Sequence, residues 1–369
     1  MGFETFLGNS KAVTAVRDML ASGRVPGGLL FSGPDGVGKK TLALMLAKAL
    51  NCERRPPGGA DFCGECQRCR KGEEMLAAAR EDSARRRDTK DSARRVEGLV
   101  YFDLQLIEPI TRYILTEQIR QMRSIAYTHP FEFHRRVFVI DEAQAIHWQA
   151  ADLLLKVLEE PPETTSFVLV CPNAYELRST IRSRCQRVQF EPVEEAVIAR
   201  LLEEEARVPK AQRMLAARVA AGSVAKAKTF DVAEFQKFRH PWLDFLDAVA
   251  GKPRTSDAEP DWAALFQSTK ALSQDREDFE RTLTVGYDIL RDLAQALENQ
   301  AAAEIINVDL RARLGAWAER LGFQGIELLK NGLDQAYRLQ ARNVNQQAGL
   351  DDLAIEVLTR TQASPRPRG

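Results

Sequence analysis

The chain has 369 residues, which is enough for two or three domains and a sizeable core. Its 52 Lys and Arg residues equal its 52 Asp and Glu residues, so the whole chain has no general attraction for nucleic acid. Residues 1–30 lack a signal-peptide pattern, and no apolar run approaches membrane-spanning length. We therefore expect a soluble cytoplasmic protein without a membrane partner, whose cysteines are more often metal ligands or free thiols than disulfides.

The first 190 residues alternate short apolar runs with longer amphipathic stretches. The apolar runs occupy residues 28–33, 136–143, 166–173 and 188–193, and residues 41–50 form the helical pattern behind the first run. Apolar strands without alternation, each followed by a helical segment, indicate a parallel sheet covered on both faces. The sequence therefore predicts an α/β domain over residues 1–192.

Beyond Pro192 the strand pattern ends. Short helices with an Ala-rich face are predicted for a small helical domain at residues 193–229. Leucine and alanine then recur at helical spacing, with an interruption at residues 251–261, and predict an all-helical domain at residues 230–360. The polar, Pro-containing end at residues 361–369 is predicted to be disordered.

An insertion at residues 70–100 is dense in charges of both signs and poor in large apolar side chains. We expect a solvated helix or a mobile segment. The alternative is a basic patch that faces DNA or a partner, formed by Arg85, Arg86, Arg87, Arg94 and Arg95. Asp88 and Asp91 lie among these arginines and weaken that alternative.

The loop GPDGVGKKT matches a phosphate-binding P-loop except at one position. Its backbone N–H groups and the following helix N-terminus form an anion site, in which a lysine reaches the terminal phosphates. The candidate nucleotide contacts in the loop are Gly33, Gly36, Gly38, Lys39 and Thr41. Lys40 stands where Ser or Thr normally ligates magnesium, and a lysine opposes a metal ion by its charge. The sequence thus predicts an ATP and magnesium site that has lost part of its metal chemistry.

Two carboxylates, Asp141 and Glu142, end the apolar run of residues 136–143. In P-loop nucleotidases a carboxylate at this place holds magnesium through water, and an adjacent glutamate polarises the attacking water. An Asp-Glu pair also favours the start of a helix, because acidic groups stabilise helix N-termini. The P-loop upstream favours the nucleotide-site interpretation.

Four cysteines follow the spacing C-x10-C-x2-C-x2-C, at Cys52, Cys63, Cys66 and Cys69. Four thiolates, three of them on a tight turn, suit a tetrahedral structural zinc site at residues 52–69. Unpaired surface thiols are the simpler alternative, and an iron–sulfur cluster is weaker because nothing else indicates electron transfer. The remaining cysteines lie in apolar or mixed surroundings and are interpreted as ordinary small residues.

Taken together, these motifs resemble the AAA+ clamp-loader subunits, closest to the delta-prime type of bacterial DNA polymerase III, with the gamma/tau type as nearest relative. The matching segments are FLGN, GLLFSGPDGVGKKTLALMLAKALNC, the cysteine module, RVFVIDEAQAI, LLLKVLEEPPETTSFVLV, SRC, GSVAKA and RNVNQQAGLDDL. The resemblance covers almost the whole chain. It implies an AAA+ domain, a helical lid and a helical collar that joins five subunits.

The resemblance also implies partners and residue roles. Such subunits form a hetero-pentamer of gamma/tau, delta and delta-prime types, which places a sliding clamp on primed DNA with ATP bound between subunits. Arg184 of the SRC element resembles the arginine finger that enters the ATP site of the next subunit. Asn173 corresponds to the residue that senses the γ-phosphate, and Lys226 to an arginine of the lid.

The chain departs from the family pattern at Lys40, at Cys171 with Pro172, and at Lys226, all in its own nucleotide site, whereas the SRC element is intact. This asymmetry favours a stator subunit that donates Arg184 and hydrolyses little or no ATP. The alternative is an active gamma/tau-type motor, in which Thr41 or water replaces the lost ligand. A regulatory AAA+ protein outside replication is disfavoured, because the cysteine module and SRC occur together.

Overall fold

The computed structural model describes residues 2–56, 58–91, 94–99, 101–205, 208–250, 261–274, 278–298, 305–340 and 346–363. The chain forms two compact units, residues 1–198 with 220–228, and residues 199–219 with 229–369. The region predicted as a separate lid, residues 193–229, is thus divided between the units, and the predicted three-domain division stays a prediction. Within the described residues, no helix combines the length and the hydropathy that crossing a bilayer requires.

A five-stranded parallel sheet forms the centre of the first unit. Its strands are β1 (Gly28–Ser32), β2 (Leu104–Ile107), β3 (Arg136–Ile140), β4 (Thr165–Cys171) and β5 (Gln186–Gln189). Their order is β2-β3-β4-β1-β5. Every residue of β1, β3 and β4 is buried, as apolar runs without alternation predict. The predicted α/β P-loop fold with a parallel sheet is confirmed.

Strand β2 was not predicted from the sequence. Its four residues are buried, but Asp103 just before it and Gln105 within it are polar. These polar side chains interrupt the apolar run that would have indicated a buried strand. The strand matters for the site because its last residue, Ile107, pairs with Ile140 at the end of β3.

The helices up to residue 228 are α1 (Ser10–Ala21), α2 (Lys39–Asn51), α3 (Gln67–Asp88), α4 (Thr116–Ala126), α5 (Trp148–Glu159), α6 (Ser179–Arg182), α7 (Glu195–Glu205), α8 (Arg213–Val219) and α9 (Val224–Lys228). Leu, Ala, Met and Lys dominate α2, and all four are strong helix formers. The charged segment forms most of α3, whose Arg86 is buried.

One face of the sheet packs against α4 and α5. Phe138 of β3 and Phe167 of β4 stack with ring centroids 5.6 Å apart, and fully buried Met122 and Leu154 join the same core. Strands β2 and β3 are also held by a buried ion pair between Asp103 and Arg136, in which Nη2 lies 2.9 Å from Oδ1. These contacts fix the strands whose carboxyl ends carry the site.

The second unit is all-helical over its described residues, as predicted for the C-terminal region. Its long helices are α10 (Val232–Ala250), α11 (Trp262–Leu272), α12 (Phe279–Leu297), α13 (Arg311–Gln340) and α14 (Gln346–Ala363). Helix α13 is bent at Gly322, which has φ of 58°, a value that glycine adopts readily. Trp242, Phe245 and Trp317 fill the core.

Two predictions for this region fall mostly outside the described residues. Of the segment predicted to be disordered, residues 361–363 continue α14, and residues 364–369 are not described. Of the predicted interruption at 251–261, only Asp261 is described, and its side chain caps α11 by accepting from the N–H of Ala264 at 3.0 Å.

Candidate functional site

The loop between β1 and α2 has the backbone of a phosphate-binding loop. Gly33, Gly36 and Gly38 have φ of 152°, 75° and 98°, values that favour glycine. A Cβ on Gly36 would lie 2.0 Å from Oγ of Ser223, so a larger residue does not fit there. Helix α2 begins at Lys39 with Gly38 as its N-cap, and its free N–H groups therefore face the loop.

A cavity of about 450 Å³ opens beside this loop. Its walls are residues 5–7, the loop and first helical turn at residues 36–41, Met45, Asp141, Val170, Val224, Ala225 and Lys228. The volume falls within the range of small-molecule pockets, and a lining of apolar side chains together with phosphate-loop residues suits a nucleotide. Thr41, a predicted nucleotide contact, is exposed and lies in this lining.

Lys39 is buried and folds back on the loop. Its Nζ donates to the carbonyl oxygens of Gly33 at 2.5 Å and Pro34 at 2.6 Å, and lies 3.3 Å from Oδ1 of Asp35. Three acceptors thus satisfy the three N–H donors of the ammonium group.

The Lys40 side chain lies between two carboxylates. Its Nζ is 2.7 Å from Oδ2 of Asp141 and 3.0 Å from Oε1 of Glu108. Burial alone would lower the pKa of Lys40, but the hydrogen bonds and charges of these carboxylates outweigh it and raise the pKa. The carboxylate that would hold magnesium is therefore already paired with an ammonium group.

Glu108 was missed by the sequence analysis. It directly follows β2, just as Asp141 follows β3, and parallel strands bring both residues to the same edge of the sheet. Both carboxylates are largely buried, with side-chain exposures of 11% and 13%. The available signal was an acidic residue directly after the apolar pair Leu106 and Ile107 at the end of β2. This signal points to a site only once β2 itself is recognised as a strand.

Glu142 is exposed and has a left-handed backbone, with φ of 49°. For a residue other than glycine, this conformation costs of the order of 1 kcal/mol. Glu142 caps the 3-10 helix Ala143–Ala145 and is not among the residues that line the cavity. Of the two predicted carboxylates, only Asp141 lies in the cavity wall.

Two other predicted contacts lie away from the cavity lining. Asn173 is exposed, and its Oδ1 accepts from the N–H of Tyr175 at 3.0 Å, which caps a turn. In α9 the residues in the lining are Val224, Ala225 and Lys228, and not Lys226. Because successive helical residues are about 100° apart, Lys226 points away from the face that carries Lys228.

Arg184 lies beyond the opposite edge of the sheet from the P-loop. It precedes β5, and its carbonyl oxygen lies near Gly28, the first residue of β1, whereas the P-loop follows Ser32 at the other end. The four steps of β1 separate these ends by roughly 13 Å. Nη2 of Arg184 pairs with Oε1 of Glu159 at 2.6 Å, and Nη1 donates to the carbonyl oxygen of Thr180 at 2.9 Å.

The four predicted cysteines come together in one cluster. The sulfur atoms of Cys52, Cys63, Cys66 and Cys69 all lie within 4.8 Å of one another. Sγ of Cys52 is 3.6 Å from that of Cys63 and 4.0 Å from that of Cys66. A tetrahedral zinc site with Zn–S bonds of about 2.3 Å has sulfur–sulfur edges of about 3.8 Å. The donor set and its size therefore fit zinc.

Backbone N–H groups donate to sulfur atoms of this cluster and help to lower the pKa of Cys63 and Cys66, whereas burial raises the pKa of Cys52 and Cys69. The N–H of Cys63 donates to Sγ of Cys52 at 3.3 Å, and the N–H of Cys69 donates to Sγ of Cys66 at 3.4 Å. Burial tends to raise the pKa of Cys66, but N–H groups, chiefly those of Cys69 and Glu53, outweigh it and lower the pKa to about 6. Thiolates stabilised in this way are the form that binds metal.

The replacement Lys40→Met should lower the free energy of unfolding at neutral pH, because two carboxylates then lose the cation between them. The folded-state pKa of Lys40 is raised, so its stabilising contribution is complete below the unfolded pKa of about 10.4 and is lost as pH rises through the folded value. Urea titrations between pH 7 and 11.5 should give a wild-type advantage that is constant up to about pH 10 and shrinks above it. Lys11→Met, at an exposed position of α1, is the control. A wild-type advantage that persists unchanged to pH 11.5 would contradict the assignment.

Curated relatives of the chain are subunits of DNA polymerase III. Subunit delta' of Bacillus subtilis (strain 168) is 32% identical over 188 residues, which cover 51% of this chain and 49% of that protein. Subunit tau of Escherichia coli (strain K12) is 31% identical over 231 residues, 61% of this chain and 32% of that protein. Subunit gamma of Buchnera aphidicola is 30% identical over 200 residues, 54% and 48% of the two chains. The chain therefore matches a third to a half of the length of these relatives.

Among solved structures, a DNA polymerase III gamma subunit-related protein of Thermotoga maritima is 14% identical with a TM-score of 0.44, over 95% of this chain and 99% of that chain. The RuvB Holliday junction branch migration motor of Thermotoga maritima is 15% identical with a TM-score of 0.39, over 89% of each chain.

The family model described as "DNA polymerase III, delta subunit" matches residues 8–194, just over half of the chain. The chain therefore belongs to the DNA polymerase III delta subunit family.

Proposed function

We propose that this chain is a delta-prime-type clamp-loader subunit of a bacterial DNA polymerase III. In this role it acts as a stator, donates Arg184 to the ATP site of a neighbouring subunit, and hydrolyses little or no ATP itself. The observation that carries the proposal is the ammonium group of Lys40 bound between Asp141 and Glu108.

This arrangement is unfavourable for metal-assisted hydrolysis. Magnesium in a P-loop site is held by a hydroxyl and a carboxylate, and bridges the β- and γ-phosphates. Here the hydroxyl position carries a cation, and that cation occupies the carboxylate at 2.7 Å. A divalent ion would have to displace it and overcome its charge. A nucleotide in the cavity would therefore meet the ammonium groups of Lys39 and Lys40 in place of a bound metal.

The position of Arg184 supports a role in trans. It lies at the edge of the sheet opposite the P-loop of its own chain, so it cannot serve its own cavity without a large movement of the backbone. Its side chain is about one-third exposed and pairs with Glu159, whose own side chain is 48% exposed. Exposed ion pairs are worth only about 0–1 kcal/mol. A phosphate group of a nucleotide bound to the neighbouring subunit could therefore replace Glu159 as the partner of Arg184 at little cost.

The partners in this proposal are gamma/tau-type and delta-type subunits in a hetero-pentamer, and through them the sliding clamp and primed DNA, in the cytoplasm. Relatives named delta', tau and gamma support it. The alternative is an active gamma/tau-type motor that uses Thr41, which lies in the cavity wall. It is disfavoured because Asp141, which that motor would need for its metal, is paired with Lys40.

We also propose that the four-cysteine cluster holds one structural zinc ion. All four ligands are protein thiols, which leaves no open position for a substrate, and Cys52, Cys66 and Cys69 are buried. The cluster joins the end of α2 to the start of α3, since Cys52 follows α2 and Cys66 is the N-cap of α3. The metal would therefore fix two helices of the nucleotide-binding unit.

DNA-stimulated ATP hydrolysis by the reconstituted loader should depend on Arg184 and not on Lys39 of this chain. Arg184→Ala should slow hydrolysis about 10³–10⁵-fold at the one ATP site that Arg184 serves. The total ATPase rate of the loader should therefore fall by the part that this site contributes. Lys39→Ala should leave the steady-state rate nearly unchanged. Arg178→Ala, which removes a surface ion pair with Asp152, is the matched control. The opposite ranking, with Lys39 essential and Arg184 dispensable, would overturn the stator role.

Elemental analysis of the purified chain should find about one zinc ion per molecule, as a four-thiolate site requires. The double variant Cys66→Ser/Cys69→Ser should lose the metal and melt at a lower temperature. Cys185→Ser, which alters a cysteine outside the cluster, should keep it. A fully folded wild-type chain without metal would refute the zinc site.

A further inference from the structure

Helices α2 and α3 form the two arms of a hairpin whose turn is the four-cysteine cluster. We call residues 39–88 the cysteine hairpin. An ion pair between Lys48 of α2 and Glu73 of α3 joins the arms. Helix α3 also lies close to β2, because a Cβ on Gly72 would be 3.1 Å from Cδ2 of Leu104. The free ends of both arms therefore lie near the carboxyl end of β2, where Glu108 follows.

Each free end of the cysteine hairpin brings one cation to Glu108. Lys40, at the start of α2, lies 3.0 Å from Oε1, and Arg87, at the end of α3, has Nη2 3.7 Å from Oε2. Glu108 is thus enclosed by two cations on different helices. Arg87 belongs to the charged insertion, which was expected to be a solvated helix or a mobile segment.

The position of Arg87 is held by its buried neighbour. Nη1 of Arg86 donates to the carbonyl oxygens of Arg95 and Glu97, each at 2.9 Å, and its Nε donates to Asp82 at 2.6 Å. These bonds attach the last turn of α3 to the segment that follows it. Arg87 is 47% exposed and reaches Glu108, whereas Arg85 is 74% exposed and pairs only with Asp82 among the described residues. The arginines of this turn therefore do not form one outward basic patch.

The two carboxylates and the cations that contact them balance in charge only when Arg87 is counted. Asp141 and Glu108 contribute two negative charges, and Lys40 alone leaves an excess of one. Two largely buried carboxylates with a net negative charge are a good site for a divalent cation, since hard cations prefer carboxylate oxygens. Arg87 supplies the second positive charge and makes the cluster neutral.

We propose that Arg87, through its contact with Glu108, is a specificity-determining residue that together with Lys40 keeps a divalent cation away from Asp141 and Glu108. The inference rests on the proposed loss of metal chemistry and extends it from the P-loop to the charged insertion. The cysteine hairpin holds both cations at the same carboxylate. Removing Lys40 alone would therefore restore metal binding only in part, and full restoration would require changes on both helices.

Mn²⁺ binding to the nucleotide-free, zinc-loaded full chain, measured by electron paramagnetic resonance, tests this inference. The wild type should bind no Mn²⁺ at the cavity, and Lys40→Met should bind it weakly. Lys40→Met/Arg87→Met should bind it about tenfold more tightly than Lys40→Met, because one unit charge a few ångströms away is worth about 1.4 kcal/mol or more. Lys40→Met/Arg85→Met should match Lys40→Met, and Lys40→Met/Arg87→Lys should do the same because it keeps the charge.

Adding Asp141→Asn to the tight-binding variant should abolish binding, which locates the ion. Thermal unfolding of each variant checks its folding, and Lys40→Met/Arg87→Gln repeats the test if the Met variant does not fold. Equal affinities for the Arg87 and Arg85 double variants, or binding that survives Asp141→Asn, would overturn the inference. Such a result leaves the trans role of Arg184 untouched, because the loader ATPase comparison tests that role separately.

Discussion

The pairing of Lys40 with Asp141 and Glu108 is the interaction on which the proposed function of this protein depends. The ammonium group of Lys40 occupies both carboxylates that a metal ion at this edge would need, and so opposes metal binding. The loop glycines, the cavity and the helix N-terminus all keep the geometry of a nucleotide site. Under the proposed function, the fold has kept the shape of a nucleotide site and changed its charge chemistry.

In the proposed role, the parallel sheet allows one chain to keep a cavity at its P-loop and to contribute Arg184 to a different site. Carboxyl ends of the strands bring the P-loop, Glu108 and Asp141 to one edge, whereas Arg184 precedes β5 at the other edge. A subunit of this design can present its arginine to a neighbour without disturbing its own cavity. The buried pair of Asp103 and Arg136 holds β2 and β3 together and so keeps the two carboxylates in place.

Features of the site that depend on neighbours in sequence were predictable. The P-loop, Asp141 and the cysteine spacing are local patterns; in the structure the P-loop precedes α2, Asp141 lies in the cavity wall, and the four cysteines come together. Glu108 and Arg87 were not predictable, because their meaning comes from contacts between segments far apart in the chain. Lys226 was aligned by motif, but the helical rotation of α9 brings Lys228 to the cavity instead. Periodicity thus predicted the elements, and tertiary contacts decided which side chains meet.

Calorimetric titration of the isolated chain with ATP, in magnesium and in chelator, tests the central claim most directly. We predict that magnesium leaves the affinity of the wild-type chain unchanged, whereas Lys40→Thr, which restores the hydroxyl, binds more tightly when magnesium is added. Wild-type binding that becomes about tenfold tighter in magnesium, a gain of about 1.4 kcal/mol, would contradict it. That result would mean that a metal displaces Lys40 from Asp141 and that the chain retains a working nucleotide site.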